Sequence, residues 1–380
     1  MPLEHLRFTP KHQLNNMTII IKPTYSCNLR CKYCYLSNET KSTQVSFDIC
    51  FAKKIINDIK EALISHNRKR VNIIWHGGEP LLWGVDNFRE ILEYSSKALN
   101  GFIVKHSIQT NLTLITQEYI EIFSKYSVHI GFSLDGYKEI NNEQRVDVCG
   151  KGTYETIMQK LELCRANNLS IGCIIVGTKK HINHIPELYQ FIVKNNLNFK
   201  FNPIFLAGEA KNNNLYGITP DEYAQMAIEL FDLWFYDKSN KVIESNFVEI
   251  ASNIVTKHTS GCLFGKNCQE NFFAITPRGD VMPCGRFCDD SLKDYSYGNL
   301  KEEKLIDILS RVKDSETYQR FHHIESGSCM SCEFYKICYG GCLHDGFLKT
   351  GDFRSKTFLC KAYKKIFKHI ANSLSQVGIQ

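Results

Sequence analysis

No apolar run in this chain approaches the roughly 20 residues that a membrane-spanning helix needs. The opening stretch MPLEHLRFTPKHQLNN also lacks the apolar core of a secretory signal. The expected location is therefore cytoplasmic, with no membrane partner. Neither sign of charge dominates: 46 Lys and Arg stand against 40 Asp and Glu, a net +6. That balance permits an anionic ligand and gives no reason to expect nucleic acid. Internal repeats and low-complexity tracts are missing. The longest polar stretches, HNRKR at Arg68 and AKNNNLYG at Asn213, read as loops. What the chain has in abundance is cysteine, 16 in 380 residues. Disulfides are rare in the cytosol, so so many thiols point to metal or catalytic use.

The length exceeds the size at which single cores stop growing, so a large domain with a smaller one is expected. Between Thr18 and about Asp237, apolar strand-like runs alternate with segments of helical period. The strand candidates are MTIIIKPTY, RVNIIWHGG, IVKHSIQTN, VHIGFSLDG, SIGCIIVGT and FKFNPIFLAG. Their continuous apolar character is that of parallel strands buried on both faces. Six β–α units fall short of the eight that close a barrel, so the fold class is α/β, with an open, partial (β/α)6 barrel over residues 1–237. A helical linker is expected at 238–258, a loop-rich, metal-held domain at 259–370 and a tail at 371–380. Function on such a barrel sits at the C-terminal strand ends.

At the first of those ends lies YSCNLRCKYCYL, with Cys27, Cys31 and Cys34 spaced C-x3-C-x2-C. A structural zinc site wants four protein ligands. A cubane iron–sulfur cluster held by only three thiolates keeps one iron open. The second strand end carries WHGGEP, where Gly77 and Gly78 let a ligand approach the backbone and Glu79 offers a carboxylate to an ammonium group. A partial zinc site completed by a distant ligand is the competing reading.

Cys27, Cys31 and Cys34 with Tyr33, followed by Gly77-Gly78-Glu79-Pro80, resemble the radical S-adenosylmethionine (SAM) superfamily. The resemblance implies that the amino and carboxylate groups of SAM fill the open iron position. Reduction of the cluster then breaks a carbon–sulfur bond, and a 5′-deoxyadenosyl radical abstracts a hydrogen atom. By position it also implies SAM contacts at Ser133 in GFSLDG, Arg145 in NNEQR and Leu206 in PIFLAG.

The C-terminal cysteines form a second pattern. Cys329, Cys332, Cys338 and Cys342 are spaced C-x2-C-x5-C-x3-C, with Cys262, Cys268, Cys284 and Cys360 around them. Eight thiolates suffice for two fully ligated metal sites, and two zinc ribbons are the alternative. The pattern is similar to the SPASM domain of radical SAM maturases. That resemblance implies three [4Fe–4S] clusters in all, one binding SAM and two auxiliary. Cys262, Cys268, Cys284 and Cys342 would hold the first auxiliary cluster, and Cys329, Cys332, Cys338 and Cys360 the second. Among the other thiols, Cys50, Cys164 and Cys173 read as core and Cys149 as a loop residue. Cys288, in PCGRFCDD, is a candidate catalytic donor or a bystander.

Overall spacing most resembles anaerobic sulfatase-maturating enzymes, which oxidise Cys or Ser to formylglycine. Those enzymes carry an aspartate general base directly after the cysteine matching Cys284, whereas Gly285 stands there in this chain, with Asp289 and Asp290 nearby as a solvated turn. The expectation is therefore a maturase that forms an oxidative crosslink in a ribosomally made peptide, with sulfatase maturation as the alternative. Expected partners are a peptide or protein substrate and an electron donor such as flavodoxin or ferredoxin. The first strand begins near Thr18, so either a separate leader-binding protein or a substrate read by the barrel itself is expected.

Overall fold

The computed structural model describes residues 16–212, 215–259 and 261–379. The opening segment and part of the loop expected at Asn213 lie outside the described residues.

All six expected strands form. β1 (Asn16–Ile21), β2 (Arg70–Trp75), β3 (Ile103–Thr110), β4 (His129–Ser133), β5 (Ile171–Gly177) and β6 (Phe199–Pro203) lie side by side in chain order, every pair parallel. Helices Ile49–Ser65, Val85–Ala98, Gln117–Lys125, Tyr154–Ala166 and Ile185–Lys194 connect them, and Pro220–Tyr236 follows β6. Their local causes are readable. Ile49–Ser65 starts where the Asp48 carboxylate accepts from Phe51 N, and it buries Ala52, Ile55, Ile56, Ile59 and Leu63 along one stripe. Pro220–Tyr236 starts at a reciprocal capping box between Thr219 and Glu222.

The sheet does not end at β1. β7 (Phe272–Ile275) pairs parallel to β1 on its free side, and β8 (Val281–Met282) returns antiparallel. The eight strands run β6-β5-β4-β3-β2-β1-β7-β8. The C-terminal region thus extends the barrel sheet, and after β8 it reaches the loop that follows β1 through Asp289, which accepts from Ser37 N and Thr40 Oγ1.

That region is more helical than the loop-rich domain expected. It contains Leu305–Arg311, Glu316–Ser326, Leu343–Thr350 and Cys360–Gln376. The last of these runs through the boundary expected at 370. It buries Tyr363, Ile366, Phe367, Ile370 and Leu374 against Pro220–Tyr236 and Ser245–Thr256. Its apolar residues recur every three or four positions between lysines, a period that the crowded cysteines obscured. A separate small core gathers Met282, Phe287, Cys288, Leu343, Phe347 and Phe353, with the rings of Phe347 and Phe353 stacked 4.4 Å apart. Among the described residues no helix is long and apolar enough to cross a membrane.

Candidate active site

The chain leaves β1 through Lys22 and runs over the C-terminal rim into the three-cysteine loop. Cys27, Cys31 and Cys34 lie within electrostatic reach of one another, and Cys34 N donates to Cys31 O at 3.2 Å. Burial pushes the Cys27 thiol up to about 12, with Glu79 and Cys31 adding to the rise. Cys31 is raised chiefly by burial as well. Thiols held this way ionise when a metal supplies positive charge.

The Gly-Gly pair has a different cause from the one expected. A Cβ at Gly77, where φ is +145°, would lie 2.4 Å from Thr24 O, and one at Gly78 would lie 2.2 Å from Tyr25 O. What approaches the glycines is the protein's own backbone leading into the cysteine loop. Glu79 also turns inward. Its fully buried carboxylate accepts from Leu81 N at 3.0 Å, Thr110 Oγ1 at 2.7 Å and Asn111 N at 2.7 Å. Burial raises its pKa to about 6 against those hydrogen bonds. Glu79 therefore fastens the end of β2 to the end of β3.

Beyond the third cysteine, Tyr33 enters a buried network that the sequence reading found only in part. Tyr33 Oη donates to Asp135 Oδ2 at 2.5 Å and accepts from Arg145 Nη1 at 2.7 Å. Asp135, two residues past Ser133, was missed. Its signal was an acid inside an apolar strand end. Ser133 Oγ, at the end of β4, accepts from Gln109 Nε2 at 3.0 Å. Leu206 follows β6 in a loop that docks on the cysteine loop, where Glu209 N donates to Cys34 O at 2.9 Å. Gly208, at φ +51°, permits that approach, since a Cβ there would meet Tyr35 O at 2.6 Å.

Two buried cations in this region test what belongs there. Lys41 Nζ and Arg145 Nε are buried without a hydrogen-bond partner, and both groups act electrostatically on Cys31. A buried, unpaired ammonium is costly. An anionic group of several acceptor atoms, such as a thiolate-bound iron–sulfur cluster, fits that demand.

The other thiols gather as two quartets. Cys262, Cys268, Cys284 and Cys342 all interact with one another. Cys329, Cys332, Cys338 and Cys360 line one cavity. Burial pushes the Cys338 and Cys342 thiols up to about 12. Between the quartets, the buried Arg320 donates to Gly340 O and Gly341 O at 3.1 Å and feels thiols of both sets. Among the described residues no three Cys, His, Asp or Glu groups converge on a single-ion site. Each quartet supplies four thiolates, the number that a [4Fe–4S] cluster takes.

The strip after β8 departs from expectation. Cys288 is 1% exposed in the small aromatic core, and burial pushes its thiol up to about 11. It has the setting of a core thiol and none of the exposure a catalytic donor needs. Asp289 and Asp290 do not form a solvated turn. Asp289 is buried and accepts from Ser37 N at 2.7 Å and Thr40 Oγ1 at 3.1 Å, while Asp290 pairs with Arg278 at 2.8 Å. Gly285 packs on β1, where a Cβ would lie 3.0 Å from Ile20 Cδ1. The neighbouring Arg286 donates to Cys342 Sγ and Asp345 Oδ1, each at 3.1 Å, and its guanidinium lies 3.6 Å over the Phe205 ring. Of the remaining thiols, Cys164 and Cys173 are buried and Cys149 is exposed. Cys50 is exposed near the start of its helix, contrary to the core reading.

Comparison with known proteins agrees with this geometry. The Radical SAM superfamily profile matches residues 21–192, and that of the SPASM iron-sulfur cluster-binding domain matches residues 262–333. The chain is 25% identical to the cysteine-type anaerobic sulfatase-maturating enzyme of Clostridium perfringens, over 95% of this chain and 98% of that protein. The solved structure of native anSMEcpe with bound AdoMet superposes with a TM-score of 0.81 at 23% identity, covering 95% of this chain and 98% of that one. Streptococcus suis SuiB bound to its precursor peptide SuiA gives a TM-score of 0.65 at 19% identity, covering 94% and 78%. The chain belongs to the radical SAM superfamily of enzymes, which use SAM and [4Fe–4S] chemistry, and it carries a C-terminal SPASM domain.

Proposed function

We propose that this enzyme modifies a ribosomally made peptide, forming an oxidative crosslink. In this reading Cys27, Cys31 and Cys34 hold the SAM-binding cluster. Tyr33, Gly77, Gly78, Glu79, Ser133, Arg145 and Leu206 shape the SAM site around it, several of them by bracing the loops. The two quartets hold auxiliary clusters. When bound, cluster and SAM supply a radical that takes one hydrogen atom from the substrate. Closing the new bond would release one proton and one electron, and the centres held by the two quartets would supply the acceptor for that electron.

The observation that carries this reading is the residue after Cys284. Gly285 has no proton acceptor, its Cβ direction faces Ile20, and the next residue is the cation Arg286. A mechanism that needs a carboxylate at that position finds none. The second reading, formylglycine formation, is favoured by the near full-length likeness to a sulfatase-maturating enzyme.

Anaerobic incubation with SAM and a strong reductant, followed by mass spectrometry, separates the two. A sulfatase-motif Cys peptide and the short peptide encoded beside the gene serve as substrates. Loss of two hydrogens from the second alone supports the crosslink. Exchange of sulfur for a carbonyl in the first overturns it. Cys27→Ala is expected to abolish SAM cleavage and lower iron from about twelve to about eight per chain. Unchanged cleavage would remove the first motif from its role.

A further inference from the structure

The second quartet is not sealed. Cys329 and Cys360 line its cavity and also line a neighbouring surface cleft, together with Lys356 and Lys364, which border both. Six basic side chains edge that cleft: His323, Lys349, Arg354, Lys356, Lys361 and Lys364. No Asp or Glu lines it. Lys361 pairs with Asp221 and Arg354 with Asp352, both acids lying outside the lining. Among the described residues, Lys349, Lys356 and Lys364 have no carboxylate partner, and all three are exposed. The chain as a whole is only modestly basic at +6, so this is a local concentration of charge. Met330, beside Cys329, is 55% exposed and offers an apolar contact next to the basic rim.

We propose that this cleft is the docking surface for a small acidic one-electron carrier protein of the ferredoxin type. The inference rests on the reading of the quartet as an iron–sulfur site. A ring of unpaired lysines steers an acidic partner and orients it while committing little buried area, as weak redox encounters do. The opening through Cys329 and Cys360 brings such a partner against the thiols themselves. The carrier is oxidised by one electron as the group held by the quartet is reduced by one, or the reverse. Arg320, which feels Cys329 and Cys338 on one side and Cys268 and Cys342 on the other, lies between this quartet and the first.

An acidic [2Fe–2S] ferredoxin is the probe. Its binding to the anaerobically prepared holoenzyme is measured at low salt and at about 1 M salt, where screening acts within about 3 Å. The wild type is expected to bind at low salt and lose affinity at high salt. Lys349→Glu with Arg354→Glu and Lys361→Glu, three residues that line the cleft and not the cavity of the quartet, is expected to weaken low-salt binding at least tenfold. Iron content and dithionite-driven SAM cleavage should stay as in the wild type. If the triple variant loads less iron, Lys349→Glu with Arg354→Glu carries the same test. Equal binding by wild type and variant, or binding insensitive to salt, overturns the proposal. Dithionite-driven cleavage bypasses any carrier, so its failure in the wild type would strike the radical SAM reading and leave the docking result to stand or fall alone.

Discussion

Asp289 offers the most direct test of how the C-terminal region braces the three-cysteine loop. Its carboxylate accepts from Ser37 N at 2.7 Å, Ser37 Oγ at 2.9 Å and Thr40 Oγ1 at 3.1 Å across the domain junction. On its own side it accepts from Ser291 N and Ser291 Oγ. Burial works to raise its pKa, but the hydrogen bonds from Ser291 and Ser37 outweigh it and hold the carboxyl below the usual range. It is therefore ionised at neutral pH, and each bond is charge-assisted. Asp289→Ala removes three such bonds between residues 37–40 and the strip after β8. Hydrogen bonds to charged groups contribute roughly 1.5–3 kcal/mol each, and neighbours in one network do not add fully. A local cost of about 3–4 kcal/mol follows, since the exposed Ser291 can turn to water. At about 1.4 kcal/mol per decade, opening of residues 36–43 becomes roughly a hundredfold to a thousandfold more frequent. Native-state hydrogen exchange read by mass spectrometry measures this segment by itself. Asp289→Asn, which keeps one acceptor oxygen, should fall between the two. Unchanged protection of residues 36–43 in Asp289→Ala would refute the brace.

Three further outcomes follow from the same structure. Gly78→Ala places a Cβ 2.2 Å from Tyr25 O and 2.4 Å from Ser26 O, both backbone atoms. Its iron content should drop by about the four irons of one cluster, or the protein should fail to fold, and full iron loading would contradict the packing argument. Gly285→Asp alone is expected to destabilise by about 1–3 kcal/mol through overpacking against Ile20, and Gly285→Asp with Ile20→Val to recover most of that in denaturant melts. If the double variant turns a sulfatase-motif peptide into its carbonyl product and the wild type does not, the missing carboxylate is the barrier. Glu244 is fully buried, and burial raises its pKa to about 7 despite bonds from Phe201 N and Phe247 N. The folded state thus keeps a proton that the unfolded state loses near pH 4.5. The contribution is fully present below that value and is lost as pH rises through 7, a change of about 3 kcal/mol. Melting curves from pH 5.5 to 8 should fall for the wild type and be flatter for Glu244→Gln, and parallel curves would remove Glu244 as the cause.

The sequence alone determined the barrel. Six apolar runs alternating with amphipathic stretches have one economical packing, a parallel sheet with helices on it, and the local signals at Asp48 and Thr219 set helix starts. It also singled out the thiols that the structure gathers into one loop and two quartets, because thiol spacing is a local property and C-x3-C-x2-C leaves little freedom. The tertiary structure decided what surrounds them. Glycines that read as room for a ligand are filled by the chain's own backbone. An expected ammonium acceptor, Glu79, proves to be a buried fastener between strands. Asp289, which read as a surface acid, joins residues more than two hundred positions away. Cys288, a candidate donor by its place in the chain, sits in an aromatic core. Such pairings depend on which strand lies beside which, and nothing in the local pattern announces that β7 adds to the free edge of β1. That one pairing sets Gly285 against Ile20 and brings Cys284 within electrostatic reach of Lys22, where the chain leaves β1.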